Sequence, residues 1–321
     1  MTDAGVRTIR FATQHHPIMA GMETFARIID VKSEGRMMVS LFRGDVLGGD
    51  ESKISALQSG TIQMLSINSG ILSSLVREFA IYDFPFLFAN AQEAYAVLDG
   101  SFGELMHTKL IEKGIVGLAY WDLGFRCFTN SQRSIQNVED FAGLKLRVVA
   151  TAVNIDWVQA LKATPVPLAF PEVYPALERR MIDGQENPLA VIDAWKFFEV
   201  QKHLTLTNHQ YSPQSVVISK KFWETLSGDE KMIISGAATE STKIQRKASR
   251  VQAGIALDNL KRKGMQVVEF NATEMTEFRD AVKPVIDKYT TIVGVEAMEV
   301  LGTMLIEVRA QALMKSVFQP S

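Results

Sequence analysis

The chain has 321 residues, 47 % of them hydrophobic and 22 % charged, enough to bury the cores of two domains. A formal net charge of -2, with no Lys/Arg-rich block interleaved with aromatics, excludes a polyanion binder and with it nucleic acid as a partner. The single cysteine, Cys127, excludes an intramolecular disulfide and a thiolate cluster.

Short apolar runs alternate with segments of helical period from the start. TIRFAT (8–13), MMVSLF (37–42) and TIQMLSI (61–67) read as strands, with helices from about Ile18 to Lys32 and over ESKISALQSG between them. That β-α-β-α-β series predicts an α/β domain with a largely parallel sheet, and Gly60 is placed to end the second helix. Ligands bind such sheets outside the carboxyl ends of the strands, which makes Gln14-His15-His16, Arg43-Gly44-Asp45 and Asn68-Ser69 the expected rim of a crevice. A helix near 91–112 follows. IVGLAY (115–120) and FRCFTN (125–130) then read as two strands parted by Asp122-Leu123-Gly124.

A second series begins with the strand GLKLRVVA (143–150), a helix from Asn154 to Lys162, the strand PVPLAF and the helix EVYPALERR, which Pro175 shortens at its start. MIDGQE reads as a short strand and QSVVIS (214–219) as another. Arg147 falls late in its strand and Asn187 just beyond its own. Ser227-Gly228-Asp229-Glu230 has the S-x-x-E form of a capping box, and helical composition runs on to about Lys263. At 1.5 Å per residue that helix is roughly 50 Å long, so it has to cross both lobes. MQVVEF (265–270) is a last strand, and 274–316 reads as helix.

No apolar run approaches the roughly 20 residues that cross a bilayer. The opening MTDAGVRTIRFA lacks the basic segment and apolar stretch of an export signal, so the chain is expected to be either cytoplasmic or a mature form whose signal has been removed. The five histidines form no H-x-x-x-H or H-E-x-x-H, and G-x-S-x-G, G-x-G-x-x-G and G-x-x-x-x-G-K-[ST] are missing too, so no metal, cofactor or nucleotide is expected. Two features invite chemistry. Asp183 and Glu186 in MIDGQENP, with His209, are an acid/base set for a hydrolase or lyase, or ordinary loop and framework charges. Arg126 and Arg147 each interrupt an apolar strand, and a buried guanidinium needs either an internal carboxylate or a ligand.

The segments GGDESKISALQSGTIQM, YDFPFLFAN, WDLGFRCFTNS, VEDFAGLKLRVVAT, PVPLAFPEVYPALERRMIDGQENP and VQKHLTLTNH, in this order and spacing, resemble the DctP-like solute receptors of tripartite ATP-independent periplasmic (TRAP) transporters over nearly the whole chain. The resemblance implies a two-lobed α/β periplasmic binding protein fold with a long helix shared by both lobes. Lobe I would be 1–122 plus 213–250, and lobe II 123–212 plus 251–321. It implies a periplasmic receptor and not an enzyme, acting as a monomer. The receptor would close over a small organic acid and deliver it to the small and large membrane subunits of a permease; a sensing role is the variant. Arg147 would clamp the ligand carboxylate, with Arg126, Asn187 and Phe170 in the cleft, while Asp183 and Glu186 would belong to the framework. Gln14, His16, Asn68 and Tyr211 are the expected contacts to the rest of the ligand. Sialic-acid receptors of the family carry an acidic residue at the position of Asn68 and a polar one at Ala150. Simple monocarboxylates are therefore expected to bind better than hydroxyl-rich acids, with a short dicarboxylate next.

Overall fold

A computed structural model describes residues 6–44 and 48–318; Asp45 of the expected crevice rim lies outside them. In the first lobe β1 (Arg7–Thr13) lies between β2 (Met37–Arg43) and β3 (Met64–Asn68), all parallel. In the second, β5 (Lys145–Val148) lies between β6 (Thr164–Pro167) and β7 (Gly184–Pro188), again parallel, and β8 (His203–Leu206) pairs with β10 (Gln266–Glu269). Two antiparallel strands, β4 (Ile115–Asn130) and β9 (Tyr211–Ser219), join the halves in the order β2-β1-β3-β9-β4-β7-β5-β6. The parallel units have the register expected from the β-α-β pattern. The joining strands do not follow from that pattern, because each belongs to no single β-α-β unit.

The most informative departure is β4. The break expected at Asp122-Leu123-Gly124 is a register shift inside one continuous strand of 16 residues. Before it β4 pairs with β9, and after it Arg126–Asn130 pair with β7. An inserted residue bends a strand and increases its twist, and here the bend hands one strand from the first lobe to the second. Gly124 takes φ +121° at this point, a value that L side chains rarely adopt.

Helix Gly228–Arg262 runs for 35 residues behind both lobes. Its capping box is formed, Ser227 Oγ accepting from the Glu230 N–H and Glu230 Oε2 from the Ser227 N–H. Its first part packs on helix Met19–Lys32 and on β4, and its later part on helix Leu189–Ala194. Midway it is bolted to the β4 bend. Gln245 accepts from the Asp122 N–H at 2.8 Å and donates to the Asp122 carbonyl at 2.7 Å, and Arg250 reaches the Asp122 carboxylate at 2.7 Å.

Other boundaries move for local reasons. The helix expected over 91–112 is two helices, Ala91–Leu98 and Ser101–Lys109, and the terminal helix is split at Gly294 into Ala272–Val293 and Val295–Phe318. Asn187 lies within β7, not beyond a strand. Lobe II was expected to take everything after 250, yet helix Val295–Phe318 packs on Ala91–Leu98 and Ser101–Lys109 of the first lobe, where Arg309 pairs with Glu93 at 2.8 Å and Lys109 with Glu296 at 2.7 Å.

Candidate ligand-binding cleft

Between the lobes lies a cavity of about 400 Å³. Gly49–Ser52, Ile71, Ser73 and Ser74 line it from the first lobe, and Arg147, Val149–Ala152, Leu168 and Ala169 from the second. Arg147 leaves the carboxyl end of β5 and is only 3 % exposed. Its Nε and Nη2 donate to the Leu168 carbonyl at 3.0 and 2.8 Å, while Nη1 is buried and meets no acceptor among the described residues. One edge of the guanidinium is thus used for positioning, and the Nη1/Nη2 end stays available as a fork. Burial pushes its pKa down to about 10, which leaves it charged at neutral pH.

Phe170 stands beside it, with the guanidinium 5.8 Å from the ring centroid. The ring meets His15 edge-on at 4.9 Å and Trp195 at 5.0 Å. Of the adjacent histidines it is therefore His15, not the expected His16, that turns inward. His16 is exposed against Trp195. Burial, together with the charges of Arg126, Lys53 and Arg147, pushes His15 down to about 3, so it is neutral at physiological pH.

Arg126, the second strand arginine, has found its own carboxylate. Its Nε and Nη2 donate to Glu186, the Nη2 bond to Oε1 being 2.8 Å, and Nη2 also reaches the Glu186 carbonyl at 2.7 Å. Nη1 donates to Ser212 Oγ at 3.2 Å. β4–β7 pairing sets Phe128 opposite Glu186 and Cys127 opposite Asn187, which brings a carboxylate sixty residues away to the guanidinium. Burial pushes Glu186 up, but Arg126 and His209 outweigh it and hold the carboxyl at about 2. Asn187 Oδ1 accepts from Arg126 at 3.3 Å, and its amide donates to Gln185 at 2.5 Å.

Asp183 does not join Glu186. Its carboxylate accepts from Gln132 at 2.9 Å and from the Lys145 N–H at 2.8 Å, fastening the entry to β5. An acid/base pair is thus not assembled, since one carboxylate is neutralised and the other holds a turn. Asn68 donates to Ser212 Oγ at 2.9 Å and accepts from the Gly70 N–H at 3.0 Å, so both ends of its amide are used. Tyr211 is not brought to the cleft. It lies on the opposite face of β9 from Ser212, packed on Phe88 and Phe125, with its hydroxyl buried and without a hydrogen-bond partner among the described residues.

Gln14 follows the end of β1 and is not among the residues that line the cavity. Its Oε1 accepts from Lys53 and its Nε2 is buried without an acceptor among the described residues. Sequence reasoning missed Asp50 at the cavity wall and did not single out the buried polar side chains Lys53, Ser66 and Gln214. Ser66 Oγ and both amide atoms of Gln214 are buried and unpartnered among the described residues, and the β3–β9 register (Asn68 opposite Gln214, Ser66 opposite Val216) puts them on the face that carries Asn68. A signal existed for Lys53, which falls four residues before the buried Leu57 on one helix face.

Asp83 is one of the points where the lobes meet. Thr151 Oγ1, from the second lobe, donates to Asp83 Oδ2 at 2.6 Å, and Gln210 donates to Asp83 Oδ1 at 3.0 Å. Behind Thr151 stand Asn154, donating to it at 2.9 Å, and Trp157. Burial pushes Asp83 up to about 6, against the bonds from Thr151 and Asn154 and the charge of Arg126, with Glu186 adding to the rise. An acid with a raised folded pKa holds its proton more tightly folded than unfolded. Its contribution to stability is therefore fully present below the ordinary value of 3.8 and is lost as pH rises through about 6. Denaturant titrations should show wild type gaining on Asp83→Asn by on the order of 2 kcal/mol as pH falls from 7 to 4, at about 1.4 kcal/mol per pKa unit. Parallel stability curves for the two proteins would contradict the burial of an ionised Asp83.

Among the described residues no cluster of three or more His, Cys, Asp or Glu is arranged to hold a metal, and no helix is long and apolar enough to cross a membrane. The family model described as bacterial extracellular solute-binding protein, family 7, matches residues 10–291. The chain is 35 % identical to the 2,3-diketo-L-gulonate-binding periplasmic protein YiaO of Escherichia coli, over 82 % of this chain and 79 % of that one. Among solved structures it is similar to a TRAP periplasmic solute-binding protein from Ochrobactrum anthropi with a C-terminus bound in its ligand pocket. That likeness has 47 % identity and a TM-score of 0.87, covering 99 % of this chain and 100 % of the other. It is also similar to the sugar acid binding protein DctPAm of Advenella mimigardefordensis in complex with galactonate, at 38 % identity and a TM-score of 0.91, covering 96 % and 99 %.

Proposed function

The chain belongs to family 7 of the bacterial extracellular solute-binding proteins, receptors that bind small organic acids and work with a TRAP permease, and on that premise we propose that Arg147 is the group that holds the acid's carboxylate. The observation that carries this is the open end of its guanidinium at the wall of the interlobe cavity. A planar guanidinium takes a carboxylate through two parallel charge-assisted hydrogen bonds and so fixes its orientation. Phe170 shields the pair from one side, and Arg126 with Asn187 shapes the wall behind it. Arg126, neutralised by Glu186, is a positioning residue and not a second clamp.

The lobes would be 1–122 with 213–250, and 123–212 with the chain from 251 onward except its last helix. They would close by bending at the β4 bulge and along the long helix, and the receptor would act as a monomer that delivers its ligand to the small and large membrane subunits. The ligand read from Asn68 and Ala150 alone was a simple monocarboxylate. Ser52, Ser73, Ser74 and Thr151 give the cavity wall hydroxyl groups that those two positions lack, so a hydroxylated monocarboxylate suits the cleft better. The proteins named above for 2,3-diketo-L-gulonate and galactonate support that class.

Calorimetric titration with galactonate, hexanoate and succinate tests the reading. Saturable one-to-one binding of at least one of these acids, recovered chemically unchanged, is expected. Turnover of the bound acid, or no binding of any carboxylate, would contradict it.

A further inference from the structure

Resting on that reading, we propose that the Thr151 hydroxyl is a two-position switch: it crosses to Asp83 when the lobes are closed on the acid, and turns back to cap its own helix when they part. Thr151 stands at the N-cap position of helix Ala152–Ala160, with the extended backbone of that position at φ -119° and ψ 149°. A threonine there ordinarily accepts from one of the first N–H groups of its helix, which have no partner inside the helix. Here the side chain makes no such bond. It donates instead to Asp83 Oδ2 at 2.6 Å. A contact within its own lobe has been given up for one on the other.

The closed position is prepared from both sides. Asn154 donates to Thr151 Oγ1 at 2.9 Å, and the Trp157 indole N–H holds Asn154 Oδ1 at 2.8 Å, so the oxygen of the hydroxyl is engaged and its proton is directed at Asp83. On the first lobe Asp83 ends the helical turn Arg77–Asp83, is 1 % exposed, and lies so close to Gly70 that no Cβ would fit there. Gln210, just before β9, supplies its other oxygen. A carboxylate seated in this way is one donor short whenever Thr151 leaves, and hydrogen bonds to charged groups are the stronger ones. Thr151 lines the cavity, four residues after Arg147, whereas Asp83 does not. Asp83 is therefore a positioning residue that acts through Thr151 and sets how long the acid is held without touching it. Apparent affinity scales with the population of the binding-competent form, so a latch on the closed form tightens binding with no ligand contact of its own.

Stopped-flow kinetics on wild type, Asp83→Ala, Thr151→Ser, Thr151→Val and the double variant Asp83→Ala/Thr151→Val test this, using whichever of galactonate, hexanoate and succinate wild type binds most tightly. Asp83→Ala should release the acid roughly tenfold faster or more, the loss expected for one buried hydrogen bond to a charged group, while its association rate stays within about a factor of three. Thr151→Ser, which keeps the hydroxyl, should release it at close to the wild-type rate. Thr151→Val should speed release from wild type strongly and from Asp83→Ala far less, because the partner is already gone. Asp83→Asn, which removes the charge and keeps the shape, should also release faster than wild type and keeps the test open if Asp83→Ala fails to fold. A crystal structure of the ligand-free open form should show Thr151 Oγ1 accepting from the N–H of Val153 or Asn154, and an uncapped helix in that form would contradict the switch. Folded Asp83 variants that release the acid at the wild-type rate overturn the inference and leave the Arg147 clamp standing, as does a Thr151→Val effect undiminished in Asp83→Ala. A wild type that binds none of the three acids removes the reading itself, and this inference with it.

Discussion

Replacing Arg147 with alanine should abolish measurable binding of any acid ligand while leaving the unfolding transition close to that of wild type. The guanidinium is held by one carbonyl, that of Leu168, and by its stack with Phe170, so its removal orphans a single acceptor at the cleft wall. The bound carboxylate, in contrast, would lose its counter-charge. Truncating one side of a desolvated charge pair costs about 2–5 kcal/mol, or roughly thirtyfold to several thousandfold in affinity. Arg147→Lys should recover only part of this, because a single ammonium cannot reproduce the fork of two parallel N–H donors. Calorimetry on the alanine variant returning an affinity near that of wild type would sink the assignment.

The other arginine should behave in the opposite way. Glu186→Gln removes the charge that neutralises Arg126 at a site where both side chains are almost wholly buried, at 0 % and 2 % exposure. Breaking a buried pair on one side costs about 3–5 kcal/mol, whereas replacing both partners with apolar groups costs far less. Denaturant unfolding should therefore rank Glu186→Gln as markedly less stable than the double variant Arg126→Met/Glu186→Leu. The pH dependence follows from the same pair. With its folded pKa lowered from 4.5 to about 2, Glu186 contributes stability that is present above about pH 4.5. That contribution is lost as pH falls toward 2. Wild type and Glu186→Gln should converge across that window. A single variant as stable as wild type at pH 7 would show that the pair holds nothing together.

These contrasting roles mark where sequence reasoning reached and where it ended. Both arginines were visible as charges in apolar strands, and both were bound to need a partner. Which one had an internal carboxylate depended on the β4–β7 register, a pairing of segments sixty residues apart that local pattern does not encode. The same limit explains the histidines. Whether His15 or His16 faces inward is set by the backbone leaving β1, where His15 is extended at φ -107° and ψ 125° and His16 begins a short helical turn. Tyr211 was misplaced because β9 starts three residues earlier than the run QSVVIS suggests, which reverses no side chain but adds one whose face is fixed by alternation with Ser212. Features with strong local causes were legible: the Ser227 capping box, the αL glycine at Gly60 and the parallel β-α-β units. The cleft itself was legible only as two strand ends. Its first-lobe wall, with Asp50, Glu51 and Ser52, was hidden inside a segment that reads as an ordinary amphipathic helix.

A crystal structure of the protein grown with galactonate would test the central claim most directly. The account predicts the carboxylate on the open Nη1/Nη2 end of Arg147, both oxygens within about 3 Å of a guanidinium nitrogen, with the rest of the acid running toward the first-lobe wall at Asp50–Ser52. A carboxylate seated elsewhere in the cleft, with Arg147 still tied only to Leu168, would contradict it.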